Sequence, residues 1–457
     1  MSAQAMKLSA RARRALHAAR ALSWVAATLG ASLAFAAAEP PAALQTADQI
    51  DIERQAVKVF NSPAVRKARS EATKLFEGDP VAGTPDGRAS LREAVDEMVF
   101  ASVYDAVDSD SAHPRILWIA TPPHHWFDSE VPGARLAIDN PDNVYREVIL
   151  DGAGSYEIRG RHSAPGPVQL SFQLYRDISD HNLSKLDSPL DGLLDRDIQL
   201  AADGSYTIVI DELPANGRRN HIRITPEAKS LLIRNTFSDW STQNPDALQI
   251  RRLDNPAAAP VDEAQLVARA VERIKLSVPF WLKFNQTSVY NQPANVLPKL
   301  LPRGGGWGFV DIGHFQLGDD EALIVTVDTL GARYTGFQLT DPWGVSRDYI
   351  HHTGSLNITQ ATPNADGTYS YVIAARDPGV ANWLDTGGLH AGQFAVRWQA
   401  LGNTPSSTDT AVREVRLVKL SALAQALPVD VPRVTPAQRR QQLDARAAAF
   451  ARRYTSS

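Results

Sequence analysis

The side chains best suited to acid–base chemistry lie close together in the second half of the chain. Asp311 and His314 follow Trp307 within a short span, and Asp320 comes soon after. A histidine with its ordinary pKa can transfer protons near neutral pH, and two carboxyl groups can cleave a glycosidic bond when they lie about 5–9.5 Å apart. We therefore predict Asp311, His314 and Asp320 as candidate catalytic residues. The alternative is that the acids form a solvated turn and that His314 belongs to a strand.

A second set of side chains could hold a ligand without reacting with it. Tryptophan offers a large flat surface and one N–H donor, which suits stacking on sugars or other planar molecules. We predict four ligand-binding candidates: Trp307, Arg376, Asn382 and Trp383. Burial in a sandwich core is the alternative for the tryptophans. An ion pair with Asp377 is the alternative for Arg376, and a structural role is the alternative for Asn382.

The familiar catalytic and cofactor motifs are missing from the chain. Its eleven histidines include two doublets, but neighbouring strand residues point to opposite faces, and no H-E-x-x-H motif occurs. The glycine-rich segment 304–308 lacks the lysine and Ser/Thr of a phosphate-binding loop, and no G-x-S-x-G elbow is present. The sequence therefore predicts no metal centre and no cofactor. A dispersed Ser-His-Asp triad stays open because triads are defined by geometry.

Residues 1–38 are typical of a cleavable secretory signal peptide. Five basic residues precede the first acid, an apolar run follows, and small residues at 36–38 end it. The apolar run is about 16 residues long, shorter than the roughly 20 that a membrane-spanning helix needs. We therefore expect a periplasmic or secreted protein with no transmembrane span after cleavage. The Sec and twin-arginine routes of export both stay open.

Loss of the signal peptide makes the chain more acidic. Subtracting its five basic residues from the 47 Lys and Arg leaves 42 against 51 Asp and Glu, a net charge of −9 with neutral histidine. An acidic chain without a basic cluster argues against a nucleic-acid partner. The chain has no cysteine, which excludes thiol catalysis, disulfides and thiolate metal sites.

Helical and strand patterns alternate along the rest of the chain. Four helical segments are predicted, over 48–76 with a break at Pro63, over 90–107 with Ser90 as cap, over 262–278 with Pro279 ending it, and from Thr435 onward. The predicted divisions are a leader with N-terminal helices at 39–112, a first β-rich module at 113–255, a linking helical segment at 256–300, a second β-rich module at 301–420 and a C-terminal helix at 421–457.

A weak internal repeat relates the two β-rich modules. The collinear matches, at offsets of 162 or 163, are 202–207 with 365–370, 220–222 with 382–384, and 232–234 with 395–397. Upstream, residues 142–156 resemble residues 320–334 at an offset of 178, which predicts a 15-residue insertion over 177–191. Self-similarity of this kind indicates duplication. The sequence therefore predicts a mainly β, α+β fold with two related antiparallel β-sandwich or jelly-roll modules, each preceded by a helical segment.

The second module resembles bacterial exported proteins of domain-of-unknown-function family 1214. The residues that carry the resemblance are 336–344, 365–367, 376–379 and 382–384. Members of the family often have a related β-rich module upstream. The resemblance implies stacked antiparallel sheets with added helices. It implies neither a reaction nor a catalytic set, so no residue role is transferred from it.

Three hypotheses of function follow from these patterns. The first is an exported ligand-binding or structural module that holds a small molecule or glycan in a cleft between the duplicated domains, since ligands commonly bind at domain interfaces. The second is a periplasmic hydrolase or lyase acting on a glycan, an ester or a hydrophobic metabolite. The third is an assembly protein, a homo-oligomer whose sandwich edges pair between copies.

Overall fold

The N-terminal helices come first in the described part of the chain. A computed structural model describes residues 44–454 except 126, 181, 255, 257–260, 404 and 406, so the predicted signal peptide lies outside the described residues. Helix α1 spans Ala47–Phe60 and helix α2 spans Pro63–Glu77. The predicted break at Pro63 is confirmed, because Ser62 caps α2 and the proline occupies its first turn.

Helix α3, Pro85–Val107, begins earlier than the sequence predicts. The hydroxyl of Thr84 accepts a bond from the amide of Gly87 at 3.0 Å, which makes Thr84 the cap. Ser90 lies inside the helix, where its hydroxyl donates to the carbonyl of Asp86 at 2.8 Å. The capping role predicted for Ser90 is therefore wrong, because an equivalent cap one and a half turns earlier allows the helix to start there.

Helix α4, Glu263–Phe284, starts at the predicted cap, where Asp262 and Gln265 form a capping box. Pro279 lies within this helix and does not end it, which corrects the prediction. A proline removes one backbone donor, but Phe280 and Leu282 beyond it are buried and hold the chain in place. The helix continues into a π-turn at Asn285–Val289.

The first β-rich unit contains nine strands in two sheets. In chain order they are β1 Leu117–Ile119, β2 Asn143–Ile149, β3 Tyr156–Arg161, β4 Gln169–Arg176, β5 Gly192–Leu194, β6 Ser205–Asp211, β7 His221–Arg223, β8 Ala228–Thr236 and β9 Ala247–Arg252. One sheet has the order β1-β2-β8-β4-β5 and the other β7-β6-β3-β9. Apolar side chains from both sheets share one core, which makes the unit a sandwich.

The second β-rich unit repeats this arrangement strand for strand. Its members are β10 Leu301–Pro302, β11 Gly308–Gln316, β12 Glu321–Val327, β13 Tyr334–Thr340, β14 Ser355–Asn357, β15 Tyr369–Ala374, β16 Trp383–Asp385, β17 Ala391–Gln399 and β18 Val412–Lys419. The sheet orders are β10-β11-β17-β13-β14 and β16-β15-β12-β18, the first unit's orders with each strand number raised by nine. The predicted duplication of two related sandwich modules, each after a helical segment, is confirmed.

Two details of that prediction are wrong. Each smaller sheet contains one parallel pair, β6 with β7 and β15 with β16, so the sheets are not purely antiparallel. The upstream match was also misaligned, because 142–156 holds β2 whereas 320–334 holds β12, the counterpart of β3. The segment Phe172-Gln173-Leu174 in β4 instead matches Phe337-Gln338-Leu339 in β13 at an offset of 165. With this offset the two units align without a 15-residue insertion. The match between 142–156 and 320–334 is misleading because short polar turns before strands resemble one another at many offsets.

The chain ends in helices that pack on both units. A short helix, α5 Leu423–Ala426, follows β18, and α6 spans Pro436–Ala451. Thr435 and Gln438 form a capping box at the start of α6, as its Thr-Pro pattern predicts. Phe450 at its far end is fully buried against Trp240 and Tyr349. Within the described ranges, no helix is both long and apolar enough to cross a membrane.

Candidate functional site

The main cavity lies between the two β units and two of the helices. Its volume is about 1490 Å³. One wall is the five-stranded sheet of the first unit, on the face turned away from that unit's own core, and the start of the second unit forms part of the opposite side. Apolar side chains of α3 and α4 complete it, among them Met98, Ala101, Leu276, Phe280, Trp281 and Phe284.

The alternation of strand residues explains which side chains reach this cavity. In β2, Tyr145, Glu147 and Ile149 line the cavity, whereas Val148 between them belongs to the sandwich core. In the neighbouring strand β8, Arg234 lies opposite Tyr145 in the pairing register and faces the same side. The wall therefore carries polar groups on one face of a sheet whose other face is apolar.

Trp307 lies between two arginines at one end of the cavity. The guanidinium groups of Arg234 and Arg303 each lie 4.5 Å from the centre of its indole ring. Trp307 is only 2% exposed, so these cation–π contacts are largely shielded from water. Arg303 also forms an ion pair with Asp187 at 2.8 Å. Of the four predicted ligand-binding residues, Trp307 is the one that the structure places in the cavity wall.

The glycine-rich segment before β11 is shaped by its contact with the first unit. A side chain at Gly304 would lie 1.8 Å from the carbonyl oxygen of Asp187, so only glycine fits there. Gly305 and Gly306 have φ angles of 79° and 71°, which other residues rarely adopt. The segment is therefore the tight turn from β10 into β11, and it presents Trp307 to the cavity.

A polar cluster occupies another part of the wall. Arg273 of α4 forms ion pairs with Asp105 of α3 and with Asp177, the latter at 2.8 Å. Burial, and then the negative charge of Asp105, raise the pKa of Glu147 to about 7. Burial raises the pKa of Asp105 as well. The single positive charge of Arg273 is thus shared among Asp105, Asp177 and Glu147. Because one cation cannot balance three carboxylates, a carboxyl group of this cluster favours its protonated form near neutral pH.

Asp311 is a buried carboxyl group at the edge of the cavity. It is 1% exposed, and neither of its oxygens has a hydrogen-bond partner of ordinary geometry. Burial raises its pKa to about 7, and the backbone amides of Lys299 and Ile312 offset only part of that effect. A carboxyl group with such a pKa could donate or accept a proton at neutral pH.

The other two candidate catalytic residues do not join Asp311. His314 lies further along β11, where its Nε2 lies 3.1 Å from the carbonyl oxygen of Gln292 and burial lowers its pKa. Its ring packs edge-on against Tyr290, and it does not line the cavity. Asp320 is exposed and pairs with Lys419 at 2.8 Å. The geometry therefore brings no acid–base pair together from this predicted set.

The remaining predicted ligand residues stabilise the second unit locally. Arg376 is bound to the carbonyl of Asp319 at 2.7 Å, not to its neighbour Asp377. The buried amide of Asn382 donates to the carbonyls of Thr362 and Ser370. The indole of Trp383 donates to the carbonyl of Ala374 at 2.9 Å. None of the three lines the main cavity. The contacts of Asn382 and Trp383 fit their structural alternatives, whereas Arg376 makes a local bond other than the ion pair with Asp377 that was its alternative.

Sequence reasoning missed most polar residues of the wall, among them Arg234, Arg397 and Glu147. Both arginines occur in the matching segments 232–234 and 395–397, which served only as evidence of the repeat. An arginine retained at the same place in two diverged copies, directly after three apolar residues in each, is the signal that the sequence offers. Glu147 gave no such signal, since its equivalent in β11 is Ile312.

Comparison with known proteins adds support for the fold class. No protein-family model and no curated protein matches the chain. The crystal structure of an uncharacterized protein from Burkholderia cenocepacia is 27% identical, covers 80% of this chain and 99% of its own, and superposes with a TM-score of 0.64. The VPA0106 protein from Vibrio parahaemolyticus is 12% identical, covers 72% of this chain and 99% of its own, and has a TM-score of 0.38. The chain is thus an α+β protein with two duplicated β units and flanking helices, similar in fold to the Burkholderia protein.

Proposed function

We propose that this protein is an exported binding protein whose cavity between the two β units holds a mainly apolar small molecule. The observation that carries the proposal is the cavity itself, with a volume of about 1490 Å³ and walls from both units and both long helices beside them. This volume exceeds the about 300–1,000 Å³ that ligand pockets commonly measure, but the lining agrees with theirs, which is mostly apolar and aromatic. The aliphatic and aromatic residues of α3 and α4 favour a hydrophobic metabolite over a glycan.

Export is part of this proposal and rests on residues 1–38 alone. Their basic start, apolar middle and small-residue end are typical of a signal peptide. A binding protein in the periplasm or outside the cell would meet apolar metabolites that enter from the surroundings. The resemblance to family 1214, whose members are exported, agrees with this location.

Hydrolysis or elimination is the second candidate function, and one observation favours it. Asp311 borders the cavity from the core-facing side of β11, has no hydrogen-bond partner of ordinary geometry and has a pKa near 7. Such a group could act as a general acid or base on a bound ester or glycoside. Binding ranks first because no second reacting group of the predicted set lies beside it.

A filled-cavity variant tests the binding proposal. Leu232 lies in the middle of the cavity wall on β8, and Leu232→Trp would occupy part of the space. Leu417→Trp is the matched control, because Leu417 is 43% exposed on β18 and far from the lining. The wild type and the control should bind Nile red, a neutral apolar dye, with a blue-shifted emission. The filled variant should bind it at least tenfold more weakly.

Thermal midpoints measured with a set of hydrophobic metabolites complete this test, because ligands that bind the folded state raise the midpoint. Equal dye binding by all three proteins would contradict a site in this cavity. Turnover of an ester in the same screen, lost in Asp311→Asn, would instead favour the second candidate function.

A further inference from the structure

We propose that the ligand of this cavity carries an anionic group, a carboxylate, phosphate or sulfonate, and that Arg234 and Arg397 bind it, one from each β unit. This inference rests on the proposed function and identifies its ligand more closely. The two residues are the buried arginines among the described residues that line the cavity, with exposures of 7% and 6%. A buried guanidinium is costly unless a partner compensates its charge.

The described side chains in direct contact with Arg234 are neutral. Its Nη1 donates to the side-chain oxygen of Gln173 at 2.6 Å, and its guanidinium stacks on Trp307 and on Tyr175. No carboxylate among the described residues forms an ion pair with it. Arg303, which also contacts the indole of Trp307, is different because it forms an ion pair with Asp187. Asp187 acts on Arg234 only from a distance, so Arg234 is held in a fixed orientation without a directly bound counter-ion.

Arg397 has still fewer partners. Its Nη2 donates to the carbonyl of Ile138 at 2.7 Å, and its Nη1 has no hydrogen-bond partner although it is buried. Again no carboxylate of the described residues forms an ion pair with it, although Asp139 lies near enough to favour its charged form. Burial has the largest influence and lowers the pKa of Arg397. An unpaired, buried donor beside a cavity is what an anionic ligand group would satisfy.

The duplication places these two arginines in one cavity. Arg234 and Arg397 occupy equivalent positions in β8 and β17, 163 residues apart. Both side chains point away from the core of their own sandwich and line the space between the units. Two residues further along the same strands, Gln399 Nε2 donates to Oγ1 of Thr236 at 3.2 Å, so β8 and β17 meet there. Arg234 and Arg397 therefore line the same cavity on either side of this contact.

The acids of the cavity do not cancel this positive site. Asp105 and Asp177 are engaged by Arg273, and Asp187 is engaged by Arg303. Glu147, whose pKa is near 7, holds a proton part of the time and then adds no charge. An apolar molecule with one anionic group would place its chain along α3 and α4 and its charge at the arginines.

The test compares ligands of equal chain length and different charge, using the wild type and Nile red displacement. Decanoate, decyl phosphate and decanesulfonate share the anionic chemistry, and the tightest of the three identifies the preferred group. Decanol and decylamine are the neutral and cationic controls. We expect at least tenfold tighter binding of one of the anions than of decanol, and the weakest binding for decylamine.

Variants then locate the charge. Arg234→Met and Arg397→Met keep the side-chain volume and remove the guanidinium, so each should lower the affinity for the anion at least tenfold and leave that for decanol within twofold. Arg223→Met, at an exposed position of β7, is the matched control and should change neither affinity. The wild-type comparison keeps the test decisive if a variant does not fold.

The outcomes separate this inference from the proposed function. Nile red binding with no preference for any anion over decanol would overturn the inference and leave the binding proposal standing. Failure of Nile red and of every chain to bind would overturn both. A preference for the anions that survives in Arg234→Met and in Arg397→Met would place the anionic group elsewhere and overturn the inference.

Discussion

The two β units have the same strand order, but the outer faces of their five-stranded sheets differ. In the first unit, Tyr145, Glu147 and Ile149 of β2 open onto the cavity. The equivalent residues of β11 are Val310, Ile312 and His314; the first two border the same cavity but also pack with Val289 and Phe284 at the end of α4. The sandwich cores are duplicated, while the outer faces have diverged: Tyr145 and Glu147 of the first unit stand where the second unit has Val310 and Ile312. Function is therefore to be sought on the outer face of the first unit, together with the part of the second unit that borders the cavity.

Equivalent core positions give the largest expected effect. Phe172 and Phe337 correspond in β4 and β13, and their exposures are 0% and 1%. Phe172→Ala and Phe337→Ala should each lower the free energy of unfolding by about 3–5 kcal/mol, because each leaves a large cavity in a sandwich core. Chemical denaturation with urea measures both values.

The comparison of the two values matters more than either one. Losses that agree within about 1 kcal/mol would support two cores of equal packing quality. A loss under about 1 kcal/mol at either position would contradict the equivalence, since a buried phenylalanine cannot be removed from a packed core at so little cost. Leu213→Ala, at a position that is 57% exposed, is the control and should have little effect.

The sequence predicts the local part of this fold well. Pro63 after Ser62, and Pro436 after Thr435, mark helix starts that the structure confirms, because capping depends on neighbours in the chain. The sequence also predicts the duplication, through the matching segments in β6 to β8 and β15 to β17. It does not predict that β2 corresponds to β11, since the residues on the outer faces of these two strands share no chemistry.

The site was harder to predict because it depends on distant contacts. Arg234 lies between Ile233 and Asn235, and Glu147 follows Arg146, so neither strand shows the clean alternation that would assign these side chains to one face. Here α4 and the second unit cover that face, and the sequence does not show which face they cover. Clustering in sequence was a poor guide as well: Asp311 lies at the cavity, while His314 and Asp320, close to it in the chain, do not.

A second comparison concerns one position on the core side of the same strands. Arg146 in β2 and Asp311 in β11 are equivalent, since they lie opposite Ile233 and Val396 in the pairing registers. Arg146 donates to the carbonyl of Asp246 at 2.7 Å, whereas the oxygens of Asp311 have no partner of ordinary geometry. The first unit thus uses its buried charge in the fold, and the second unit leaves its charge beside the cavity.

The pH dependence of stability tests this difference with the next largest effect. Burial raises the pKa of Asp311 from 3.8 to about 7. The folded protein therefore keeps a proton that the unfolded chain releases between about pH 4 and pH 7. Relative to Asp311→Asn, the free energy of unfolding of the wild type should fall as the pH rises through this window, by up to about 1.4 kcal/mol per pH unit and about 4 kcal/mol in all.

Denaturation series at several pH values between 4 and 8 give this result directly. Asp320→Asn is the control because Asp320 is exposed, and its bond with Lys419 lowers the pKa of its carboxyl. Relative to Asp320→Asn, the free energy of unfolding of the wild type should not fall as the pH rises. A difference between wild type and Asp311→Asn that stays constant over the series would show that Asp311 has an ordinary pKa.

The smallest predicted effect compares the glutamines that accompany the two arginines. Gln173 and Gln338 are equivalent in the Phe-Gln-Leu segments, and both are 1–2% exposed. Gln173 accepts a bond from Arg234 at 2.6 Å and donates to the carbonyl of Gly304. Gln338 donates to the carbonyl of Ile138 at 3.2 Å, and its own oxygen has no partner.

Gln173→Leu should therefore destabilise the protein by about 1–2 kcal/mol more than Gln338→Leu, because hydrogen bonds to charged groups are worth more than neutral ones. After Gln338→Leu the carbonyl of Ile138 still accepts from Arg397, and the loss should stay under about 1 kcal/mol. Equal losses, measured by urea denaturation, would mean that Arg397 depends on its glutamine as Arg234 does. The two arginines would then be equivalent in their hydrogen bonding to glutamine as well as in their position. This result would contradict the difference between Arg234, which Gln173 holds in place, and Arg397, which Gln338 does not.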